Sequence, residues 1–289
     1  MNACLKKSKF MIEKKIISHD GFELKYSISQ IQTEKPWIAL IIPFGIKLWM
    51  ARYFFNFFES QYNIITWESR SILNVSERKV VENEFTLENH IMDLHKVLET
   101  CSIKECTLVG YCSGAGIAMA AAARFPQLID NLILVHGEYT LLNDSNCSTQ
   151  FALEIDSLLT LAGKDERHLK LVFEKIQGDR LNSNLSRPKG VDLAFTNINF
   201  LRRYAANYLV YKEIDFESLA RVITHNTLLM SGDLDVQSNV NSTQKICQFI
   251  KNSKSYIDPV ADHYGLLRDE SNTMVKVWNY LCEQRASYA

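Results

Sequence analysis

One cysteine of this sequence lies where a catalytic nucleophile is expected. The segment GYCSGAG places Cys112 midway between Gly110 and Gly114, after an apolar run and before an alanine-rich stretch. A strand that passes directly into a helix forces one residue into a strained turn, and the side chain of that residue projects above the sheet. The two glycines fit such a turn because side chains at their positions would collide across it. The spacing predicts a nucleophilic thiol at Cys112, and the alternative is a small, buried, apolar cysteine.

The stretch around this cysteine resembles the α/β-hydrolase superfamily. Residues 110–137, GYCSGAGIAMAAAARFPQLIDNLILVHG, look like the superfamily's nucleophile turn (the elbow), packing helix and following strand in unbroken register. A cysteine in the elbow, written G-x-C-x-G, is also similar to polyhydroxyalkanoate synthases and cysteine-type thioesterases. The resemblance covers nearly the whole chain except residues 140–221. It implies an α/β-hydrolase fold, with a mostly parallel central sheet, flanking helices and an inserted helical lid.

The superfamily's order along the chain is nucleophile, acid, base, which implies the other two members of a catalytic triad. The base would be His263, in the segment DHYG between the last predicted strand and the last predicted helix. The acid would be Asp235, which matches the family's G-x-x-D spacing from Gly232; Asp233 is the other candidate, and a turn-capping role also explains it. Asp235 would orient the imidazole ring of His263 and stabilise its charged form.

Backbone N–H groups would form the oxyanion hole, which stabilises the negative oxygen of a tetrahedral intermediate. The resemblance implies one donor at Ser113, directly after the nucleophile. It implies a second donor at Ile46, where Phe44-Gly45-Ile46 replaces the family's His-Gly-x. Four residues near predicted strand ends are candidate contacts of the substrate: Phe44, Tyr111, Glu138 and Tyr139.

A cysteine nucleophile favours thioester chemistry. Beside a histidine, the thiol pKa of about 8.5 can fall by several units and give a thiolate–imidazolium pair. Forming an acyl-cysteine from another thioester is close to thermoneutral, whereas forming it from an ester or amide is uphill. Acyl groups on coenzyme A or on an acyl carrier protein are therefore the expected donors. We predict an acyl-thioester hydrolase or acyltransferase that forms a covalent acyl-cysteine through a Cys-His-Asp triad.

Two other interpretations stay open at this point. The same triad would also suit the hydrolysis of an ester, a lactone or a C–C bond. Alternatively, the fold would serve as a catalytically silent receptor or scaffold, because a fold does not by itself specify a function. No metal or cofactor is predicted, since the seven cysteines lack the CxxC pairs and the Cys/His spacing of a zinc site.

The elements that position these residues follow from the hydrophobic pattern. Short apolar runs without alternation, each followed by a helical stretch, indicate strands buried on both faces of a parallel sheet. The dipeptide Asp20-Gly21 predicts a hairpin between the first two strands. Glu68 and Arg70, in the place of the family's Asp-x-Arg pair, are predicted to form a structural ion pair. The predicted strands are 15–19, 22–27, 38–43, 63–67, 106–111, 131–136, 227–232 and 254–260, and the predicted helices of the core are 48–59, 86–100, 113–124, 240–250 and 272–285.

Between residues 140 and 221 the regular alternation of predicted strands and helices stops. Helix-like stretches such as FALEIDSLLTLAG, ERHLKLVFEKIQ and NINFLRRYAANYLVYKEI take its place. A connection of this length is too long for a simple loop inside a compact sheet. We predict that residues 140–221 form a helical lid over the substrate, and that residues 1–139 and 222–289 form the α/β-hydrolase core.

Composition limits the partners and the compartment. The 289 residues are 47% hydrophobic and carry a formal net charge of -1 without a long basic cluster, so nucleic acid is not an expected partner. Unpatterned cysteines and a charged start without the apolar core of a signal peptide favour a reducing cytoplasm. Residues 37–58 are apolar, but Lys47 and Arg52 lie inside them, so no membrane span is predicted. The expected partner is a small-molecule acyl thioester or an acyl carrier protein.

Overall fold

The structure is a computed structural model that describes residues 11–75, 80, 83–141, 144–181, 187–269 and 271–287. Within these ranges the strands are β1 (Ile12–Ile17), β2 (Glu23–Ile28), β3 (Trp37–Ile41), β4 (Asn63–Trp67), β5 (Cys106–Tyr111), β6 (Ile129–Val135), β7 (Asn226–Gly232) and β8 (Ser253–Asp258). The α-helices of the same ranges are α1 (Arg52–Phe58), α2 (Leu87–Thr100), α3 (Ser113–Arg124), α4 (Gln150–Ala162), α5 (Glu166–Leu181), α6 (Ile198–Tyr211), α7 (Phe216–Val222), α8 (Val240–Phe249) and α9 (Asn272–Ser287).

All eight strands belong to one sheet, in the order β1-β2-β4-β3-β5-β6-β7-β8. The pairs β1–β2 and β2–β4 are antiparallel, and all other neighbours are parallel. Every residue of β4 and β5 is buried, as expected for strands covered on both faces. The predicted mostly parallel sheet with flanking helices is confirmed. Because the parallel strands end at the same edge, the loops after them bring distant residues together.

Two apolar clusters, one on each face, hold the helices to this sheet. Successive residues of β5 point to opposite faces, so that Leu108 packs with α2, α3 and α8 while Val109 packs with α1 and α9. In α1, the rings of Phe54, Phe55 and Phe58 are each 0% exposed. Burying an aromatic side chain of this kind stabilises the fold by about 1.5–3 kcal/mol. These three rings of α1 therefore serve the core.

Small residues allow α3 to lie directly on the sheet. Ten of its twelve residues are buried, most of them alanine or glycine. A Cβ atom on Gly114 would lie 2.2 Å from the carbonyl oxygen of Ile41 in β3, and one on Gly110 would lie 2.6 Å from Cα of Ala115. Both glycines are therefore required for the close passage from β5 into α3, as the sequence spacing predicts.

Helices α4, α5 and α6 form a separate layer, which we call the helical insertion. They pack around an apolar cluster of their own, to which Leu159, Val172 and Leu201 contribute. Helix α7 instead packs against α3 and α8, so it belongs with the core although most of it precedes residue 221. None of the described helices combines the length and the apolar composition that a membrane crossing requires.

The predicted ion pair between Glu68 and Arg70 is wrong. Arg70 is 1% exposed and binds the carboxylates of Asp93 and Asp20, the latter at 2.6 Å. Glu68 lies 3.3 Å from the ammonium group of Lys47 instead. The buried guanidinium needs charged partners once it is removed from water, and Asp93 on α2 and Asp20 in the β1–β2 turn supply them.

Candidate active site

Cys112 occupies the turn between β5 and α3. Its φ of 54° and ψ of -123° lie in a region that residues with side chains rarely adopt. The backbone N–H of Cys112 donates to the carbonyl of Val135 at 3.0 Å, and the carbonyl of Cys112 accepts from the N–H of Glu138 at 3.2 Å. Both partners belong to β6 or the loop after it, so the neighbouring strand holds the strained turn. Cys112, a half-buried residue, is thereby placed at the C-terminal edge of the sheet.

The structure brings Cys112, Asp235 and His263 together at this edge. Asp235 follows β7, and its Oδ2 atom accepts a hydrogen bond from Nδ1 of His263 at 2.8 Å. His263, on the loop after β8, is 5% exposed, and its ring also interacts with the thiol of Cys112. Cys112 and His263 line the same pocket. A thiol, an imidazole and a carboxylate in this sequence of contacts can move a proton away from an attacking sulfur.

A second histidine, His136, binds the same carboxylate. His136 follows β6 with a φ of 48°, is 1% exposed, and donates from Nδ1 to Oδ2 of Asp235 at 2.8 Å. The N–H groups of Gln237 and Ser238 bind the other carboxylate oxygen at 2.8 and 2.9 Å. Asp235 therefore accepts four hydrogen bonds and is held in one orientation. Only the neighbouring position of β6 and β7 in the sheet reveals the role of His136.

His136, Asp235 and His263 also form the one group in the described chain whose side chains are spaced closely enough to hold a metal ion, with ligand atoms within 4.8 Å of one another. Hydrogen bonding explains this spacing, because both Nδ1 atoms face Oδ2 of Asp235. A ring nitrogen that donates its proton has no lone pair left for a metal. The group is therefore best described as a hydrogen-bonded carboxylate.

Burial and pairing set the charges of these groups. Burial opposes ionisation of Asp235, but His263 and the hydrogen bond from His136 outweigh it and lower the pKa of Asp235 well below its usual range. Burial likewise opposes protonation of His263, and Asp235 outweighs it, so the pKa of His263 is raised. For Cys112 burial prevails over the attraction of His263, and the thiol pKa is raised. This direction is the opposite of the lowered thiol pKa that the sequence analysis expects.

The two predicted oxyanion donors are placed differently. The N–H of Ser113 hydrogen-bonds the sulfur of Cys112, at the N-terminus of α3. The N–H of Ile46 donates to the carbonyl of Pro43 at 3.3 Å, within the turn after β3. The hydroxyl of Ser113 accepts from the N–H of Phe44 at 3.0 Å and thereby ties this turn to the elbow. The N–H of Ser113 thus points at the sulfur, whereas the N–H of Ile46 would have to exchange the carbonyl of Pro43 for another acceptor.

The pocket above Cys112 is walled mainly by apolar side chains. The turn after β3 and the short helical turn after His263 supply Phe44, Ile46 and Leu267. The helical insertion and the segment between α5 and α6 cover the other side with Phe151, Ala152, Ile155, Val191, Phe195 and Tyr204. The glutamate Glu138 lies at the base, beside the thiol.

Of the four predicted contacts, Phe44, Tyr111 and Glu138 line this pocket and Tyr139 does not. The ring of Tyr139 packs against Phe216, with centroids 5.7 Å apart, and lines a smaller neighbouring cavity. Tyr111 also has a structural contact, because its hydroxyl donates to the carbonyl of His263 at 2.6 Å. It therefore fixes the loop that carries the histidine.

A second, open cavity adjoins the mouth of the pocket and shares Arg187 and Leu267 with it. Four cations line this cavity, which we call the cationic groove: Arg52, Arg187, Lys189 and Arg268. One carboxylate, Asp269, lines it as well, and Arg268 forms an ion pair with Asp262 at 2.6 Å. The sequence contains no run that predicts this groove, because its cations come from three separate segments.

Similarity to known proteins extends over most of the chain. The family model described as alpha/beta hydrolase fold matches residues 66–270, a range that includes the elbow, Asp235 and His263. A curated relative, the L-allo-isoleucyltransferase of Pseudomonas savastanoi pv. glycinea, is 21% identical over 259 residues, which cover 88% of this chain and 89% of that protein.

Solved structures resemble the fold over nearly its whole length. A hydrolase from Pseudomonas aeruginosa PA01 has a TM-score of 0.70 and 18% identity, with 97% of this chain and 99% of that chain covered. The enol-lactonase from Burkholderia xenovorans LB400 has a TM-score of 0.69 and 17% identity, with 93% and 100% covered. Identities this low establish a likeness of fold and nothing about the reaction.

Proposed function

Because this chain belongs to the α/β-hydrolase family, we propose that it is an acyltransferase whose nucleophile is Cys112. The observation that carries the proposal is a thiol on the strained strand-to-helix turn, in contact with a histidine that Asp235 orients. In the first half-reaction the enzyme takes an acyl group from a thioester donor onto Cys112. In the second it passes that group to an acceptor.

The chemistry needs one proton carrier. The thiol proton of Cys112 passes to the neutral form of His263 as the sulfur attacks the carbonyl carbon of the donor thioester. N–H groups of Ser113 and Ile46 stabilise the resulting oxyanion. When the intermediate collapses, the bond from the carbonyl carbon to the donor sulfur breaks and His263 gives its proton to the leaving thiol. In the second half-reaction the acceptor gives its proton to His263, attacks the acyl-cysteine and releases Cys112, which regains a proton.

Two considerations favour transfer over hydrolysis. A thioester on Cys112 keeps most of the free energy of the donor thioester, so transfer to a thiol, amine or hydroxyl needs no further activation. The curated relative is by its name a transferase of the L-allo-isoleucyl group. Aminoacyl groups therefore join simple acyl groups among the donors to be tested.

The cationic groove supports a donor that carries phosphate. Coenzyme A and acyl carrier proteins both present their acyl group on a phosphopantetheine arm, which is neutral near the thioester and anionic at its far end. Arg187 and Lys189 are exposed cations at the mouth of the pocket, where that far end would emerge. Guanidinium and ammonium groups both bind phosphate oxygens. The helical insertion would act as the lid that closes over the acyl group.

Intact-mass spectrometry tests the proposed function. The protein is incubated with a panel of acyl-coenzyme A and aminoacyl-pantetheine thioesters, and the mass of the acyl group is sought on the chain. We expect an adduct in the wild type and none in Cys112→Ala, while Cys282→Ala, which removes an exposed cysteine far from the site, keeps it. No adduct with any donor, or an adduct that survives in Cys112→Ala, contradicts the proposal.

A further inference from the structure

Glu138 is an acidic residue in contact with the proposed nucleophile. Its carboxylate Oε2 atom lies 3.9 Å from Sγ of Cys112. The backbone keeps it there, because its N–H donates to the carbonyl of Cys112 at 3.2 Å and its own carbonyl accepts from the hydroxyl of Tyr211 at 2.6 Å. The side chain is half-buried and lines the pocket. Glu138 thus presents a fixed carboxylate to whatever occupies the space above the sulfur.

This position is unfavourable for the nucleophile alone. A carboxylate next to a sulfur opposes formation of the thiolate, and Glu138 adds to the effect of burial in raising the pKa of Cys112. Burial raises the pKa of Glu138 itself; of the charged groups that act on it, His263 favours its ionised form and Asp235 opposes it. Among the described residues, no lysine or arginine forms an ion pair with Glu138. The tyrosines that face it, including Tyr204 on α6, are neutral.

We propose that Glu138 binds a protonated amine on the acyl group, so that the natural donor is an α-aminoacyl thioester. The inference rests on the proposed acyl-cysteine at Cys112 and names the substrate class of the same site. In an α-aminoacyl thioester the ammonium nitrogen is two bonds from the carbonyl carbon that the sulfur attacks. With that carbon above Sγ, the ammonium group lies within reach of a carboxylate 3.9 Å from the sulfur.

Binding of the amine would also remove the obstacle to ionisation. An ammonium group paired with Glu138 cancels the negative charge beside Cys112, so that the thiolate forms with the correct substrate in place. The rest of the substrate side chain would meet apolar groups from both sides of the pocket, among them Ile46, Ile155 and Phe195. The site therefore selects an acyl group with a cation next to the carbonyl and an apolar remainder.

A comparison of the reaction rates of three matched donors tests this inference. Pantetheine thioesters of one apolar amino acid, of its N-acetyl derivative and of the corresponding acid without the amine are each mixed with the protein, and the rate of adduct formation on Cys112 is measured. We expect the free amine to react about 10- to 100-fold faster than the other two in the wild type. Glu138→Gln should reduce this preference to a few-fold at most, and the exposed Glu154→Gln on α4 should leave it unchanged.

A second measurement separates charge from disruption of the fold. Without substrate, Glu138→Gln should alkylate with iodoacetamide at Cys112 several-fold faster than the wild type at neutral pH, because the opposing charge is gone. Equal reaction of the three donors in the wild type, or an amine preference that survives in a folded Glu138→Gln protein, overturns the inference but leaves the proposed transferase intact. Absence of any adduct with all three donors overturns the proposed function itself.

Discussion

The sulfur of Cys112 lies between a histidine that favours its negative charge and a carboxylate that opposes it. Burial and Glu138 raise the pKa of the thiol, whereas His263 acts to lower it. Asp235 acts through His263, whose pKa it raises. Each unit of pKa changes the fraction of thiolate tenfold, so the charges around this one atom control the reactivity of the site.

The pair of His263 and Asp235 predicts how stability depends on pH. The folded-state pKa of His263 is raised above its unfolded value of about 6.5. The pair therefore stabilises the fold fully below about pH 6.5, and this contribution is lost as the pH rises through the folded-state pKa. In thermal unfolding, the Tm advantage of the wild type over His263→Gln should be largest near pH 6 and shrink towards alkaline pH. An advantage that grows with pH would show that the ring is not held in its charged form.

Local motifs and chain order were sufficient to predict that Cys112, Asp235 and His263 come together, because each follows a strand whose direction is set by the fold. The roles of these residues stay predictions. The contact of His136 with Asp235 could not be predicted, since it depends on β6 and β7 being neighbours. The raised pKa of Cys112 was also missed, because it results from the depth of burial and from Glu138, which no motif encodes.

The elbow depends on how closely α3 approaches the sheet. Its two glycines leave no room for a side chain, and the alanines that follow keep the helix close over its whole length. The predicted strands and this helix agree well with the structure because buried parallel strands and an alanine-rich helix have strong patterns: β4, β5 and α3 occupy the predicted residues. The predicted helix 48–59 instead begins with a 3-10 turn at Leu48–Ala51, and no side chain caps its start.

Replacing Gly114 tests this close packing. The new Cβ of Gly114→Ala would meet backbone atoms of β3 at 2.2 Å, which cannot move aside as a flexible side chain can. We expect a loss of at least about 1–3 kcal/mol in the free energy of unfolding and a strong loss of acylation of Cys112. Gly178→Ala in α5, where a Cβ meets nothing within 4 Å, is the matched control and should be neutral or stabilising by about 0.5–1 kcal/mol. Urea denaturation measures the free energy of unfolding of both variants. An equal change in the two would contradict the need for a glycine at position 114.

Across the molecule, the parallel sheet gathers the functional loops at one edge and the helical insertion covers them. The formal net charge of -1 conceals an uneven distribution, because four cations meet in the groove next to the pocket. The sequence shows no basic cluster, since Arg52, Arg187, Lys189 and Arg268 are neighbours only in the folded chain. A single sequence does not show which distant residues become neighbours in this way.

The cationic groove predicts a preference for donors that carry phosphate. In the double variant Arg187→Ala/Lys189→Ala we expect the KM for an acyl-coenzyme A donor to rise about 10-fold, and the rise should diminish at high salt. The KM for the corresponding N-acetylcysteamine thioester, which has no phosphate, should not change. Lys170→Ala/Lys175→Ala, on the exposed face of α5, serves as the charge-matched control. An equal change in KM for both donors would show that the cationic groove does not bind the phosphate of the donor.

In the proposed reaction an acyl group passes through a thioester on Cys112 to a second molecule. The most direct measurement isolates the protein after reaction with a radiolabelled aminoacyl-pantetheine, removes excess donor, and adds an acceptor thiol such as unlabelled pantetheine. We predict that the label leaves Cys112 and appears on the acceptor faster than it is released by water, and that Cys112→Ala never carries it. Label that stays on the protein in the presence of acceptor, or that is released only as the free acid, would contradict acyl transfer through Cys112.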